Sequence, residues 1–203
     1  MNPFHYCNVT VYGFHGCSID VKSRILSGSA IFNKSGNRYD WLGPGVYFWE
    51  NDYLRAQSWA REVHGTSAAV VGARIQLGHC FDISNSFAKD ILKIAYEDLQ
   101  ADLATTQLSM LINKPHPRNK GNPDDKVLRY LDKIVIDYAM AISQRNQPNK
   151  LYDTVRAPFQ EGFPVYPGSA FREHDHIHLC VRNAELLVDL FDPEEVDQHF
   201  KLY

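Results

Sequence analysis

The sequence predicts an α+β fold in a single domain spanning residues 1–203, and three observations carry that prediction. Two segments, Asn8–Phe14 and Ala68–Leu77, are rich in residues that favour a pleated, half-buried strand. Between residues 86 and 145 the apolar residues recur at helical spacing instead. After Tyr152 the strand texture returns, so a helical insertion separates two β-rich halves.

The first strand is expected to run from Asn8 to Phe14 and to end at His15-Gly16-Cys17. Ser18 can then cap a short helix, with Ile19, Lys22, Ile25 and Leu26 at helical spacing and Gly28 as its stop. A polar connection from Ser29 to Arg38 leads to the most distinctive stretch, Tyr39–Glu50. There Gly43-Pro44-Gly45 reads as a turn, because proline fixes φ and glycine accepts φ > 0. Val46-Tyr47-Phe48-Trp49 follows as a short strand, and Asn51 or Asp52 can cap a helix through Ala60. A tight turn, an aromatic strand and a capped helix together make a floor for a flat ring. Ala68–Leu77 is the strongest strand, with a turn expected at Gly78-His79 and extended chain over Cys80–Ile83.

In the insertion, Phe87, Ile91, Ile94, Ala95, Leu99, Leu103 and Leu108 predict a helix from Ser86 to about Leu111. A breaker-rich loop, residues 114–123, precedes a second helix capped by Asp124 and running to about residue 145. This pair reads as scaffold. Residues 154–169, with three prolines and two glycines, read as an irregular loop of the kind that carries specificity contacts. His176–Arg182 and Glu185–Leu190 complete the strands, and Pro193–Tyr203 is expected to form a short helix.

Composition narrows the function classes. A hydrophobic share of 44% with 25 aromatic residues supports a sizeable core. The net charge of −3 gives no overall attraction to nucleic acid or anionic membrane. Lys114, Arg118, Lys120, Lys126 and Arg129 nevertheless make the 113–129 region locally basic. Cys7, Cys17, Cys80 and Cys180 form no CxxC pair, which argues against a zinc ribbon or a dithiol redox site. No run reaches the length of a membrane span, and Met1–His5 lacks the pattern of a secretion signal. The expected location is cytoplasmic.

Three constellations can carry chemistry. His15-Gly16 stands at a strand end. His174, His176 and His178 alternate, so His176 and His178 share a strand face and can ligate one metal if Asp82, Asp153 or His79 joins them. Glu161, Glu173 and Asp175 surround the last core strand, and a carboxylate there can stabilise an oxocarbenium-like transition state.

In order along the chain, His15-Gly16, the turn and strand Gly43-Pro-Gly-Val-Tyr47-Phe48, the following helix and the late strand resemble the ADP-ribosyltransferase fold, on its diphtheria-toxin and poly(ADP-ribose) polymerase side. The resemblance covers the N-terminal third, extends loosely to residues 176–182 and does not include 86–145. It implies a split β-sheet core and NAD as substrate, with no metal. In the His-Tyr-Glu signature of that family, His15 would bond the adenosine ribose. Backbone groups of Gly16 would hold the nicotinamide amide, Tyr47 would stack on the nicotinamide ring, and Trp59 is the nearest match to a second stacking aromatic. Two departures stand out. Cys17 replaces the usual Ser or Thr, and His178 stands where the family has Glu, with His176 two residues before it. A neutral histidine can accept a ribose hydroxyl but supplies no negative charge, so the third catalytic position falls to His178 itself or to one of the carboxylates Glu161, Glu173 and Asp175.

The resemblance implies transfer of ADP-ribose to a macromolecular acceptor, protein or nucleic acid. Compact members of this kind look like bacterial toxins or effectors, some paired with an antitoxin or immunity protein. Two alternatives belong beside it: a catalytically weak NAD or ADP-ribose binder acting as an interaction module, and an enzyme similar to the RNA 2′-phosphotransferases, where His and Arg replace the Glu. A metal-dependent hydrolase built on His174, His176 and His178 is the further contrast.

Overall fold

The structure, a computed structural model, describes residues 5–37, 40–117, 121–146 and 151–196. Tyr39, Arg118, Lys120 and the tail after Val196 lie outside the described residues, as does the end of the connection that follows the second insertion helix.

Among the described residues six strands form one mixed sheet. Strand β1 (His5–Ser18) pairs antiparallel with β3 (Ala68–Asp82), from His5↔His79 to Ser18↔Ala68. β1 meets β2 (Val46–Glu50) at Gly13↔Glu50 and Phe14↔Trp49. β2 pairs with β5 (His176–Val181), β5 with β4 (Thr154–Phe159), and β4 runs parallel to Cys80–Asp82 of β3. The ladder therefore returns to its start and closes a ring, with β6 (Leu187–Phe191) added along β3.

Alternation sorts the side chains of this ring. Val46, Phe48, Ala73, Ile75, Leu77, Leu179 and Val181 fill its interior. The opposite faces of β2, β4 and β5 carry Tyr47, Cys180, Val155, Ala157 and Phe159 toward a second core, covered by α3 (Ser86–Thr106) and α4 (Tyr130–Asn146). Helix α1 (Ile19–Leu26) packs Ile25 against Cys17, Ala69 and Val71, with Ser18 as its cap. Helix α2 (Tyr53–His64) starts at Asp52, whose carboxylate accepts the Arg55 N–H at 2.9 Å. Its Ala56 and Trp59 pack with Trp49 and Val70.

Several boundaries differ from the sequence expectation. β1 does not stop at His15 but continues to Ser18, because β3 partners it throughout. Gly78 is not a turn. At φ +59° it kinks a continuous β3 and shifts its parity, so that Ala73, Ile75 and Leu77 and then Cys80 face inward. The predicted loop at 154–169 begins with β4. Its Pro158 is tolerated because pairing with β3 ends at Arg156. α3 stops at Gln107, in the left-handed region at φ 57°, instead of reaching Leu111. α4 begins at Tyr130 and not at Asp124. Asn113, distant in sequence, caps it by accepting the N–H groups of Leu131 (2.9 Å) and Asp132 (3.2 Å). Asn122 and Asp125 are instead drawn against the β4–β5 connection, where buried Asp125 accepts the Gly162 N–H at 2.8 Å and Asn122 donates to the Gly162 carbonyl at 3.0 Å, while Leu128 pairs with Lys114. The last predicted strand opens with a 3-10 turn at Ala184–Leu186, and α5 covers Pro193–Val196.

Candidate active site

The Gly-Pro-Gly turn delivers the chain into β2. Gly43 lies at φ +83°, and a Cβ on Gly45 would stand 2.5 Å from Cys180 Sγ and 2.7 Å from the Val181 carbonyl. Only glycine fits that approach. The Tyr47 hydroxyl braces the turn, accepting the Leu42 N–H at 3.0 Å and donating to the Gly43 carbonyl at 2.8 Å. Burial pushes this phenol well above its ordinary range.

Beyond Tyr47, the outer faces of β2 and β5 gather an aromatic and histidine cluster. Trp49 pairs in register with His178, and their rings lie 5.1 Å apart. Around His178 stand Tyr47 (5.4 Å, edge-on), His176 (5.0 Å, perpendicular), Phe159 (6.2 Å) and Trp41 (6.3 Å). His176 stacks on Phe159 at 5.0 Å. Trp59 adds its ring 5.6 Å from Trp49. Two guanidiniums flank the cluster. Arg55, from α2, lies 5.8 Å over Trp49 and is ion-paired with Glu161 at 2.7 Å. Arg129, just before α4, lies 4.0 Å over Phe159 and 4.9 Å over Trp41, and bonds Asp132 at 3.1 Å.

Five nitrogens of this cluster are buried without a hydrogen-bond partner: His176 Nε2, His178 Nε2, Trp49 Nε1, Arg55 Nε and Arg129 Nε. Most buried polar groups find partners, so such a concentration requires an explanation. The other histidine nitrogens are engaged. His176 Nδ1 meets the His174 carbonyl at 2.7 Å, and His178 Nδ1 meets Trp41 Nε1 at 3.4 Å. Burial is the main cause that holds both imidazoles below their ordinary pKa. For His178, His176, Arg55 and Arg129 lower it further; for His176, Arg55 also lowers it, while the His174 carbonyl, Glu161 and Asp52 oppose.

Of the residues singled out in sequence, Tyr47, Trp59, His176, His178 and Glu161 meet in this cluster. His15 does not bring its ring there. It follows Phe14, which pairs with Trp49, so alternation turns His15 to the interior face beside Phe32 (5.0 Å) and Phe48 (5.7 Å). Its link to the cluster is Nδ1, bonded to the Tyr47 carbonyl at 2.8 Å, and it lines a cleft of about 360 Å³ together with Arg24, Ser29 and Asn33. Gly16 lies under α2, where a Cβ would stand 2.8 Å from the Ala56 carbonyl and 2.9 Å from Trp59. The other two loop carboxylates fold their own hairpin. Glu173 accepts the Phe163 N–H, and Asp175 those of Glu161 and Arg172.

The expected third metal ligands are also placed elsewhere. Asp82 binds Arg156, and Asp153 accepts the His79 N–H. Among the described residues no three His, Cys, Asp or Glu side chains are grouped to hold a metal ion. Sequence reasoning missed Trp41, Phe159, Arg55 and Arg129 as site residues, and did not assign Trp49 although it lies two positions from Tyr47 on the same face.

No family model matches the chain, and no curated protein or solved structure matches it. Among the described residues no helix is long and apolar enough to cross a membrane.

Proposed function

We propose that the cluster on β2 and β5 binds NAD⁺ and that the protein transfers ADP-ribose from it to a macromolecular acceptor. The observation that carries this reading is the juxtaposition of aromatic rings with unpartnered histidine nitrogens. Tyr47 and Trp59 offer half-buried apolar surface to a flat ring, with buried Trp49 packed beside them, and His176 and His178 offer hydrogen bonds to ribose oxygens. In the reaction the bond between ribose C1′ and nicotinamide breaks, its electron pair leaving with nicotinamide. The acceptor's nucleophile bonds to C1′ and gives up its proton. Glu161 meets this cluster through Arg55, as Asp132 does through Arg129, and of the carboxylates beside the last core strand it is the candidate to stabilise positive charge on the ribose. A toxin or effector role, with an antitoxin as partner, stays within this proposal.

The test is nicotinamide release from NAD⁺, with and without a cell lysate as acceptor. Wild type is expected to release it, and folded Glu161→Gln to release it on the order of a hundredfold more slowly. A folded wild type that binds NAD⁺ without releasing nicotinamide would leave a binding module instead. Arg55 and Arg129 favour one second reading: two guanidiniums beside neutral histidines suit a phosphate. Release that requires an RNA bearing a 2′-phosphate would establish a phosphotransferase of that kind.

A further inference from the structure

The partners of the two histidines determine where their protons sit. His176 Nδ1 lies 2.7 Å from the carbonyl oxygen of His174. A carbonyl only accepts, so Nδ1 carries the proton and Nε2 of the neutral ring is a bare lone pair. His178 Nδ1 lies 3.4 Å from Trp41 Nε1. An indole N–H only donates, so here Nδ1 is the lone pair and the proton of the neutral ring is on Nε2. Two adjacent imidazoles, 5.0 Å apart and perpendicular, thus hold opposite tautomers: the unpartnered Nε2 is a lone pair on His176 and an N–H on His178.

We propose that His176 and His178 form an acceptor–donor pair for one ligand. His176 Nε2 accepts from a ligand hydroxyl, and His178 Nε2–H donates to a ligand oxygen. Trp41 is the positioning residue that sets the polarity of the pair. The hydroxyl-accepting role that sequence position assigns to His178 passes to His176, because the indole already occupies the only lone pair of the His178 ring.

Burial first, and the charges around them second, hold both rings below their ordinary pKa. Arg55 faces them from α2, Arg129 from the segment before α4, and His176 and His178 face one another. Glu161, from the β4–β5 connection, and Asp52, at the start of α2, act on His176 in the opposite sense. Trp49 Nε1–H is a second unpartnered donor beside His178. With the Nε–H groups of Arg55 and Arg129 at its edge, the cluster offers one acceptor among several donors, which matches a group that gives one hydrogen bond and receives others, as a vicinal diol does. On the NAD⁺ reading that group is a ribose. The identity of the diol rests on that reading, whereas the tautomers do not.

Long-range proton–nitrogen correlation spectra of the folded, ligand-free protein at neutral pH test the pair directly, with His176→Gln and His178→Gln assigning the signals. His176 is expected to be protonated on Nδ1 and His178 on Nε2. Trp41→Phe removes the indole donor and should convert His178 to a mixture of tautomers while His176 stays unchanged. A wild-type spectrum with both rings protonated on the same nitrogen overturns the pair without need of any variant. A His178 signal indifferent to Trp41→Phe overturns the positioning role. Addition of NAD⁺ should shift the His176 Nε2 resonance. Opposite tautomers with no response to NAD⁺ or ADP-ribose uphold the pair and sink the ribose reading alone.

Discussion

The ring of strands holds two clusters of enclosed polar groups, and it treats them in opposite ways. At one end of the interior, Arg156 bonds both oxygens of Glu50 (2.6 and 2.8 Å) and Oδ2 of Asp82 (2.9 Å). Asp82 Oδ1 accepts the Ser84 N–H and hydroxyl at 2.9 and 2.6 Å. Every nitrogen of Arg156 that can donate is used. Outside the ring, His176, His178, Trp49, Arg55 and Arg129 each leave a nitrogen without a partner. An unsatisfied buried polar group costs roughly 1–3 kcal/mol. The inner cluster is therefore complete as a piece of the fold. The outer one retains hydrogen-bonding capacity of the kind a ligand site needs.

The largest effect should come from breaking the complete cluster. Arg156→Met removes the cation and leaves Glu50 and Asp82, each under a tenth exposed, without a counter-charge. The expected loss is about 3–5 kcal/mol of folding stability, read from urea or thermal unfolding. A loss under about 1 kcal/mol would mean that water already screens these carboxylates, and the contrast between the clusters would fail.

Acid should act next, through the histidines. Burial is the main cause that holds His15, His176 and His178 below the ordinary value of 6.5. Between that value and each lower folded value, the unfolded chain binds a proton that the folded chain refuses. Stability is thus full above pH 6.5 and falls as pH drops, by up to about 1.4 kcal/mol per pH unit for each histidine. Urea midpoints measured across this window should show a shallower slope in His178→Gln than in wild type. Equal slopes would mean that His178 protonates freely in the folded protein.

The same contrast explains what could be read from sequence. Alternation and capping signals located the principal strands and both early helices, since Ser18 and Asp52 act through neighbours three residues away. The shared face of His176 and His178 was legible from the strand period of two, whereas Tyr47 stood out through the resemblance at Gly43–Phe48. The start of α4 was not, because its cap, Asn113, and Gly162, which holds Asn122 and Asp125, are distant in sequence. Arg129 reads only as one member of a basic loop; tertiary packing over Phe159 brings it to the outer cluster. His15 shows the reverse case. Its identity suggests a role beside Tyr47, yet one step of strand parity places its ring on the other face.

The smallest stability change is expected where a polar nitrogen has no partner to lose. His176→Phe keeps a flat ring at 5.0 Å from Phe159 and removes the unpartnered Nε2. It also removes the bond to the His174 carbonyl, a contribution of about 0.5–1.5 kcal/mol. These effects oppose one another, so unfolding should shift by less than about 1 kcal/mol. Stabilisation by NAD⁺ in a thermal melt should nevertheless disappear, because the acceptor nitrogen is gone. A loss of several kcal/mol would show that His176 Nε2 has a structural partner. The outer cluster would then be held together as the inner one is, and its nitrogens would no longer point to a ligand.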